Sequence, residues 1–165
     1  MSFKIRGLAV LTAATIAFPV LAGETSGIMI EDPYARVSTA ASTSGAAFLM
    51  IMNHGETDDR LTGVSTGVAA RAELHTHQED SNGVMKMMHV EEGFAVSAGD
   101  MRLLQRGGDH IMLMGLNRAL AHGDVISITL TFEEAGDVSI DVPVDLERKP
   151  GVHGTMEHMA PEADD

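Results

Sequence analysis

The chain has 165 residues, a formal net charge of −13, 44% hydrophobic residues and no cysteine. This length is enough for one domain with an apolar core and short for two. The strong negative charge disfavours binding to nucleic acid or anionic lipid, and it favours cationic partners, including metal ions. The absence of cysteine from the sequence excludes disulfides, thiol catalysis and thiolate metal ligands.

The first 22 residues have the pattern of a signal peptide. Lys4 and Arg6 precede an apolar run at 8–21, and Val20-Leu21-Ala22 is typical of a signal-peptidase site with cleavage after Ala22. The run is short for a transmembrane helix, which favours cleavage over the alternative interpretation, an uncleaved anchor. Cleavage leaves 11 − 2 = 9 basic residues against 24 acidic ones, a net charge of −15. We therefore expect an exported, soluble protein in a bacterial periplasm.

From residue 28 onward, short strands and turn signals follow each other closely. In chain order the predicted strands are 28–38, 44–53, 60–66, 69–77, a strand around Met87, 94–96, 101–104, 110–116, 125–132 and 138–144. Pro33 is expected at a sheet edge or a bulge, Asn82-Gly83 is a strong hairpin signal, and 117–122 is expected to form a single helical turn. No long 3.6-residue pattern is present. The sequence therefore predicts an all-β sandwich or barrel.

Two of these strands carry most of the apolar pattern. The run 44–53 is almost wholly apolar, as expected for a strand buried on both faces, and Met50 and Met52 are predicted to fill the core. Along 125–132, Ile and Leu alternate with Ser and Thr, which predicts one buried face. The predicted organisation is a signal peptide at 1–22, one domain at 23–149, and a flexible acidic tail at 150–165.

Histidine and methionine recur at two-residue spacing in the middle of the chain. The pairs are His75 with His77, Met85 with Met87, and His110 with Met112, and residues i and i+2 of a strand project from the same face. Imidazole and thioether ligands without cysteine do not fit a structural zinc site, a calcium site or a blue-copper centre. They favour a soft ion, and Cu(I) is the leading candidate.

The amino-acid sequences of these motifs resemble those of a known family. The motifs are Ala47 to Asn53, Glu73-Leu74-His75-Thr76-His77, Gly83-Val84-Met85-Lys86-Met87 and Gly107-Gly108-Asp109-His110-Ile111-Met112 to Leu116. Together they are similar to the periplasmic copper chaperone PCu(A)C family over roughly 28–144. The resemblance implies a cupredoxin-like Greek-key β-sandwich or barrel that binds one Cu(I) through two His and two Met. It also implies delivery of copper to the binuclear copper centre of cytochrome c oxidase, alongside thiol-bearing copper chaperones.

The family's ligand pattern is His, ten residues, Met, twenty-one residues, His, one residue, Met. In this chain eleven residues (76–86) separate His75 from Met87, and twenty-two (88–109) separate Met87 from His110. One-residue insertions near 78–82 and near Glu91-Glu92 would account for both differences. The resemblance thus implies His75, Met87, His110 and Met112 as ligands, while strict counting selects His77 and Met88 as rivals.

The tail carries a second group of the same donors: His153, Met156, His158 and Met159. It resembles the His/Met-rich extensions of some family members, which implies a second site that takes up Cu(II). The predicted function is a copper-binding metallochaperone rather than an enzyme. A copper buffer or resistance protein without a dedicated recipient has the same sequence signature, and a copper-dependent oxidoreductase is the alternative from another class, although no catalytic motif supports it.

Overall fold

The computed structural model describes residues 27–79 and 83–149, and ten strands lie within them. The strands are β1 (Ile28–Val37), β2 (Ser44–Asn53), β3 (Asp59–Thr66), β4 (Ala69–Glu79), β5 (Met85–His89), β6 (Phe94–Val96), β7 (Met101–Leu104), β8 (His110–Leu116), β9 (Val125–Phe132) and β10 (Gly136–Pro143). The predicted strands are all present. The predicted signal peptide, the tail and residues 80–82 at the hairpin tip lie outside the described residues.

The strands form two sheets with antiparallel pairing. One sheet has the order β1-β2-β8-β4-β5, with β7 also paired to β2, and the other has the order β10-β9-β3-β6. Along β2, residues 44–47 pair with β8 and residues 49–52 pair with β7, so β7 and β8 follow one another along the same edge of β2. The chain crosses repeatedly between the sheets. The predicted cupredoxin-like, all-β sandwich is confirmed.

The core lies between the two sheets and consists mainly of aliphatic side chains. In β9, Ile126, Ile128 and Leu130 are at most 1% exposed, as their alternation with Ser and Thr predicts. Leu49 and Ile51 of β2 and Ile111 of β8 face them from the other sheet and are fully buried. Burial of these side chains is the main favourable term that holds the sheets together.

The prediction that Met50 and Met52 fill the core is wrong. Strand β2 is buried on one face only, where Leu49 and Ile51 lie, and Met50 and Met52 are only partly buried on the opposite face. An uninterrupted apolar run carries no alternation, so the sequence alone did not separate the two faces. The outer face of this sheet therefore carries several thioether groups.

Two local predictions, one for Pro33 and one for residues 117–122, had different outcomes. Pro33 lies in the edge strand β1 at a register shift between Glu31 and Tyr34, as predicted. The prediction of a helical turn at 117–122 is wrong: this segment is a loop that ends in a turn, where the Asp124 amide donates to the Ala121 carbonyl at 3.1 Å.

Within the part of the chain that the structure describes, no helix is long and apolar enough to cross a membrane.

Candidate metal centre

Strand register brings the central histidines and one methionine to the outer face of the larger sheet. His75 of β4 pairs directly with His110 of β8 and with His89 of β5, and His77 pairs with Met87 of β5. Side chains of directly paired residues project from the same face. Met112 joins this group because it lies two residues beyond His110 on the same strand.

The rival methionine falls on the other face. Met88 pairs with Thr76, which lies between His75 and His77 in β4, so its side chain projects away from the three imidazoles. The structure therefore brings Met87, and not Met88, together with His110 and Met112.

A cavity of about 420 Å³ opens on this face of the sheet. His77, Met87, His110 and Met112 all line it, and Phe48 forms part of its wall. The His75 ring borders the group from the β4 side, with its centroid 5.9 Å from that of His110, but it does not line the cavity. Two thioethers and two imidazoles thus share one opening.

One backbone carbonyl orients both cavity imidazoles. The Gly108 oxygen lies 2.9 Å from Nδ1 of His110 and 3.1 Å from Nδ1 of His77. A carbonyl oxygen can only accept, so both rings donate through Nδ1, and this assigns the proton of each neutral ring to that atom. The Nε2 atom of each ring is then left with a free lone pair, the form in which histidine binds metals.

The surroundings of His110 favour its neutral form. His110 is 2% exposed, and this burial lowers its pKa below the ordinary value of 6.5. The hydrogen bond to Gly108 raises the pKa and so opposes part of the shift, whereas the nearby His77 and His75 lower it further. A lower pKa keeps the imidazole deprotonated at more acidic pH. A proton therefore competes less well with a metal ion for His110.

His75 has its own second partner. Its Nε2 lies 3.0 Å from the Glu73 carboxylate, and the hydrogen bond between them lowers the pKa of Glu73. Nδ1 of the same ring is buried without a hydrogen-bond partner. A carboxylate on one ring nitrogen and an unpaired second nitrogen are also features of a metal-binding histidine.

The spacing of the rings suits coordination of a single ion by His77 and His110. Their centroids are 5.1 Å apart, which is about the separation expected when two Nε2 atoms bind one metal at roughly 2.0–2.1 Å with a near-tetrahedral angle. Among residues 27–79 and 83–149, no three His, Asp or Glu side chains are grouped so that they could hold a metal. Coordination here would need the thioethers of Met87 and Met112, and thioethers select Cu(I).

The cavity wall also contains two arginines, Arg36 and Arg106. The Arg36 guanidinium donates to the backbone carbonyls of Leu146 and Arg148. The four candidate donors are uncharged, so the donor set itself supplies no negative charge to a bound ion.

A profile described as "Putative lipoprotein LpqE-like" matches residues 28–144, which include every described strand. The chain belongs to the LpqE-like family. A curated relative, the "Putative lipoprotein Lxx21020" of Leifsonia xyli subsp. xyli (strain CTCB07), is 32% identical over 138 residues. The matched region covers 81% of this chain and 81% of the relative.

Solved structures share the fold of this LpqE-like chain. The "Apo PCuAC domain from PmoF1" aligns with a TM-score of 0.61 at 23% identity, covering 74% of this chain and 97% of that one. The "Copper-bound PCuAC domain from PmoF2" gives 0.60 at 23% identity, covering 73% and 93%. The "Solution structure of CuI-DR1885 from Deinococcus Radiodurans" gives 0.55 at 23% identity, covering 78% and 84%. At this identity the likeness establishes a PCuAC-type fold for the LpqE-like chain.

The sequence gives no signal for several parts of the candidate centre. Gly108 acts through a backbone carbonyl, which leaves no signal in residue type. Arg36, Phe48 and Arg106 come from β1, β2 and the turn before β8, respectively, and only the pairing of strands brings them to the cavity. The tail residues His153, Met156, His158 and Met159 lie outside the described residues.

Proposed function

We propose that this protein is a metallochaperone that binds Cu(I) at the cavity and delivers it to the binuclear copper centre of cytochrome c oxidase, directly or through a thiol-bearing copper chaperone. One observation carries the proposal: two imidazoles with free Nε2 atoms and two thioethers line a single cavity. Two structures of the same fold, described as a copper-bound PCuAC domain and as CuI-DR1885, support it. The protein acts as a carrier and not as an enzyme.

The proposed ligands are His77, Met87, His110 and Met112. His77 is preferred to His75 because it lines the cavity, pairs with Met87 and shares the Gly108 carbonyl with His110. His75 is the alternative, supported by the resemblance of the local Glu73-Leu74-His75 motif to the family and by its unpaired buried Nδ1. Competition with a Cu(I) chelator decides between them: His77→Ala should weaken Cu(I) binding strongly, and His75→Ala should weaken it less. The reverse order would assign the site to His75.

The ligand set suits a carrier that must release its ion. All four donors are neutral, so none holds the ion by charge, and thioethers bind Cu(I) more weakly than thiolates do. Met87 is 48% exposed, so one side of the site is open to an incoming ligand. A partner thiolate can therefore approach the copper from the solvent side and displace Met87 first.

Delivery is tested in cells that lack the protein. Deletion of the gene should lower cytochrome c oxidase activity when copper is scarce, and added copper should restore the activity. The wild-type gene should complement the deletion, whereas the variant His110→Ala/Met112→Ala should not. Normal oxidase activity in the deletion strain at low copper would indicate a copper buffer or resistance protein with no dedicated recipient.

We also propose that the protein is exported to the periplasm. The signal-peptide pattern at 1–22 and the lipoprotein names of the family and of its curated relative support export. Without a cysteine the chain has no residue for lipoprotein acylation, so the mature form should be released and not lipid-anchored. Fractionation of cells should give a soluble periplasmic protein that begins at Gly23.

The tail at 150–165 is proposed to take up Cu(II) through His153, Met156, His158 and Met159. Imidazole nitrogen is a good ligand for Cu(II), and the acidic residues nearby attract the divalent ion. Electron paramagnetic resonance of the mature protein with one equivalent of Cu(II) tests this. A signal with nitrogen couplings should appear, and it should be lost when His153 and His158 are replaced by Ala.

A further inference from the structure

Three methionines form a row across adjacent strands, away from the proposed centre. Met29 of β1 pairs directly with Met52 of β2, and Met52 pairs directly with Met101 of β7. Directly paired side chains of antiparallel strands have Cβ atoms about 4.5–5.5 Å apart on the same face. The three thioethers, here called the methionine row, therefore project side by side from the outer face of the larger sheet.

The methionine row is accessible to solvent. Met29 is 49% exposed and Met101 is 59% exposed, and Met52 between them is only partly buried. Seven large apolar side chains are exposed in the described part of the chain, and five of them are methionine. An apolar patch with no chemical role would be expected to use Leu, Ile and Val at least as often, so the choice of sulfur calls for an explanation.

The methionine row and the cavity are separate sites on one sheet. Met112 in the cavity pairs with Ala46 of β2, and Met52 lies six residues further along that strand. At about 3.3 Å per residue the two positions are roughly 20 Å apart, which is too far for one ion to bridge. No side chain of the methionine row lines the cavity.

We propose that Met29, Met52 and Met101 form a second binding site for a soft monovalent cation, Cu(I) in the cell and Ag(I) as its probe. Three neutral thioethers match the preference of Cu(I) for soft sulfur donors. Methionine has three rotatable side-chain bonds, so neighbouring sulfur atoms can converge on one ion without movement of the strands. Its exposure to solvent and its three donors, against four in the cavity, make this the weaker of the two sites, suited to holding copper transiently. The inference does not depend on the proposed function of the cavity.

The test follows each methionine methyl group of the full-length mature protein during titration with Ag(I). With ¹³C-labelled methionine methyls, NMR should show Met87 and Met112 shifting first. The methyls of Met29, Met52 and Met101 should then shift together with one common midpoint. The variant Met29→Leu/Met52→Leu/Met101→Leu, which keeps apolar volume and removes sulfur, should bind one equivalent less. Met88→Leu, the matched control on an exposed methionine of the opposite face, should bind as much as wild type.

Three results would overturn the proposal. The row methyls could stay unshifted, they could shift with unrelated midpoints, or the triple leucine variant could keep the wild-type stoichiometry while remaining folded by circular dichroism. Failure of the cavity as a copper site gives a different pattern, because Met87 and Met112 would then stay unshifted while the row still responds. In the variant His110→Ala/Met112→Leu the row methyls should shift as in wild type.

Discussion

The turn that carries Gly108 is fixed by an ion pair, and removal of that pair should loosen both imidazoles. Asp109 accepts two hydrogen bonds through one carboxylate oxygen, from Arg102 Nε at 2.9 Å and from a terminal guanidinium nitrogen at 2.6 Å. The same arginine packs over the Phe94 ring. Asp109 is the residue between Gly108 and His110, so its position sets the direction of the Gly108 carbonyl.

The size of the effect follows from the burial of the two partners. The Asp109 side chain is 16% exposed and that of Arg102 is 39% exposed, so solvent screens part of the charge-assisted hydrogen bonding. We expect Asp109→Ala to lower the free energy of unfolding by about 1–2 kcal/mol. For a domain of this size that corresponds to a fall in Tm of about 4–8 °C. Groups that orient metal-binding histidines typically contribute about 10–100-fold to affinity, and we expect a loss of Cu(I) affinity in that range.

Two assays on one variant test this reasoning. Thermal unfolding of the metal-free protein measures the stability, and competition with a Cu(I) chelator measures the affinity. Asp124→Ala is the matched control, because it breaks the ion pair with Arg118 far from the cavity. The control should lose stability without losing Cu(I) affinity. If Asp109→Ala is destabilised but binds Cu(I) as tightly as wild type, the proposed role of the Gly108 carbonyl is refuted.

Three further predictions concern stability. The pKa of His110 is lowered from 6.5 in the fold, so below about pH 6.5 the unfolded chain binds more protons than the folded protein. The free energy of unfolding of the metal-free protein should therefore be highest, as far as His110 contributes, above about pH 6.5 and should fall as the pH drops. His110→Gln should reduce the difference in denaturant midpoint between pH 7.5 and 5.5, and an unchanged difference would contradict the assignment. Ile111→Ala should cost about 2–5 kcal/mol in denaturant unfolding, because Ile111 is fully buried between the sheets; a loss below 1 kcal/mol would argue against this core. Gly93→Ala should lower Tm, because Gly93 has φ +73° and a Cβ there would lie 2.1 Å from the Leu61 carbonyl oxygen; an unchanged Tm would show that this turn is not tightly packed.

Most of the fold could be predicted because polar turns and alternation mark short strands clearly. Strand β9 is the clearest case, since its apolar residues occur at every second position. Prediction fails where that signal is missing: the apolar run of β2 has no alternation, so the sequence predicts Met50 and Met52 in the core, whereas they lie on the outer face. The loop at 117–122 carries no decisive local signal, and tertiary contacts determine its conformation.

The candidate centre could be predicted only in part, for a similar reason. The two-residue spacing grouped His110 with Met112 and His75 with His77, because that grouping depends on a single strand. Whether Met87 or Met88 joins them depends on the hairpin register, and a one-residue slip exchanges the two faces. The pairing of His77 with Met87 supplies that register. The methionine row could not be predicted at all, since its members are far apart in the sequence and only the sheet brings them together.

X-ray absorption at the copper edge tests the central claim most directly. The mature protein, loaded with one equivalent of Cu(I) and desalted, should retain the copper with an edge energy typical of Cu(I). Its first shell should contain both nitrogen and sulfur neighbours, from the two histidines and the two methionines. The variant His110→Ala/Met112→Leu should lose the tightly bound copper. A first shell without sulfur in the wild-type protein, or copper lost on desalting, would contradict the account.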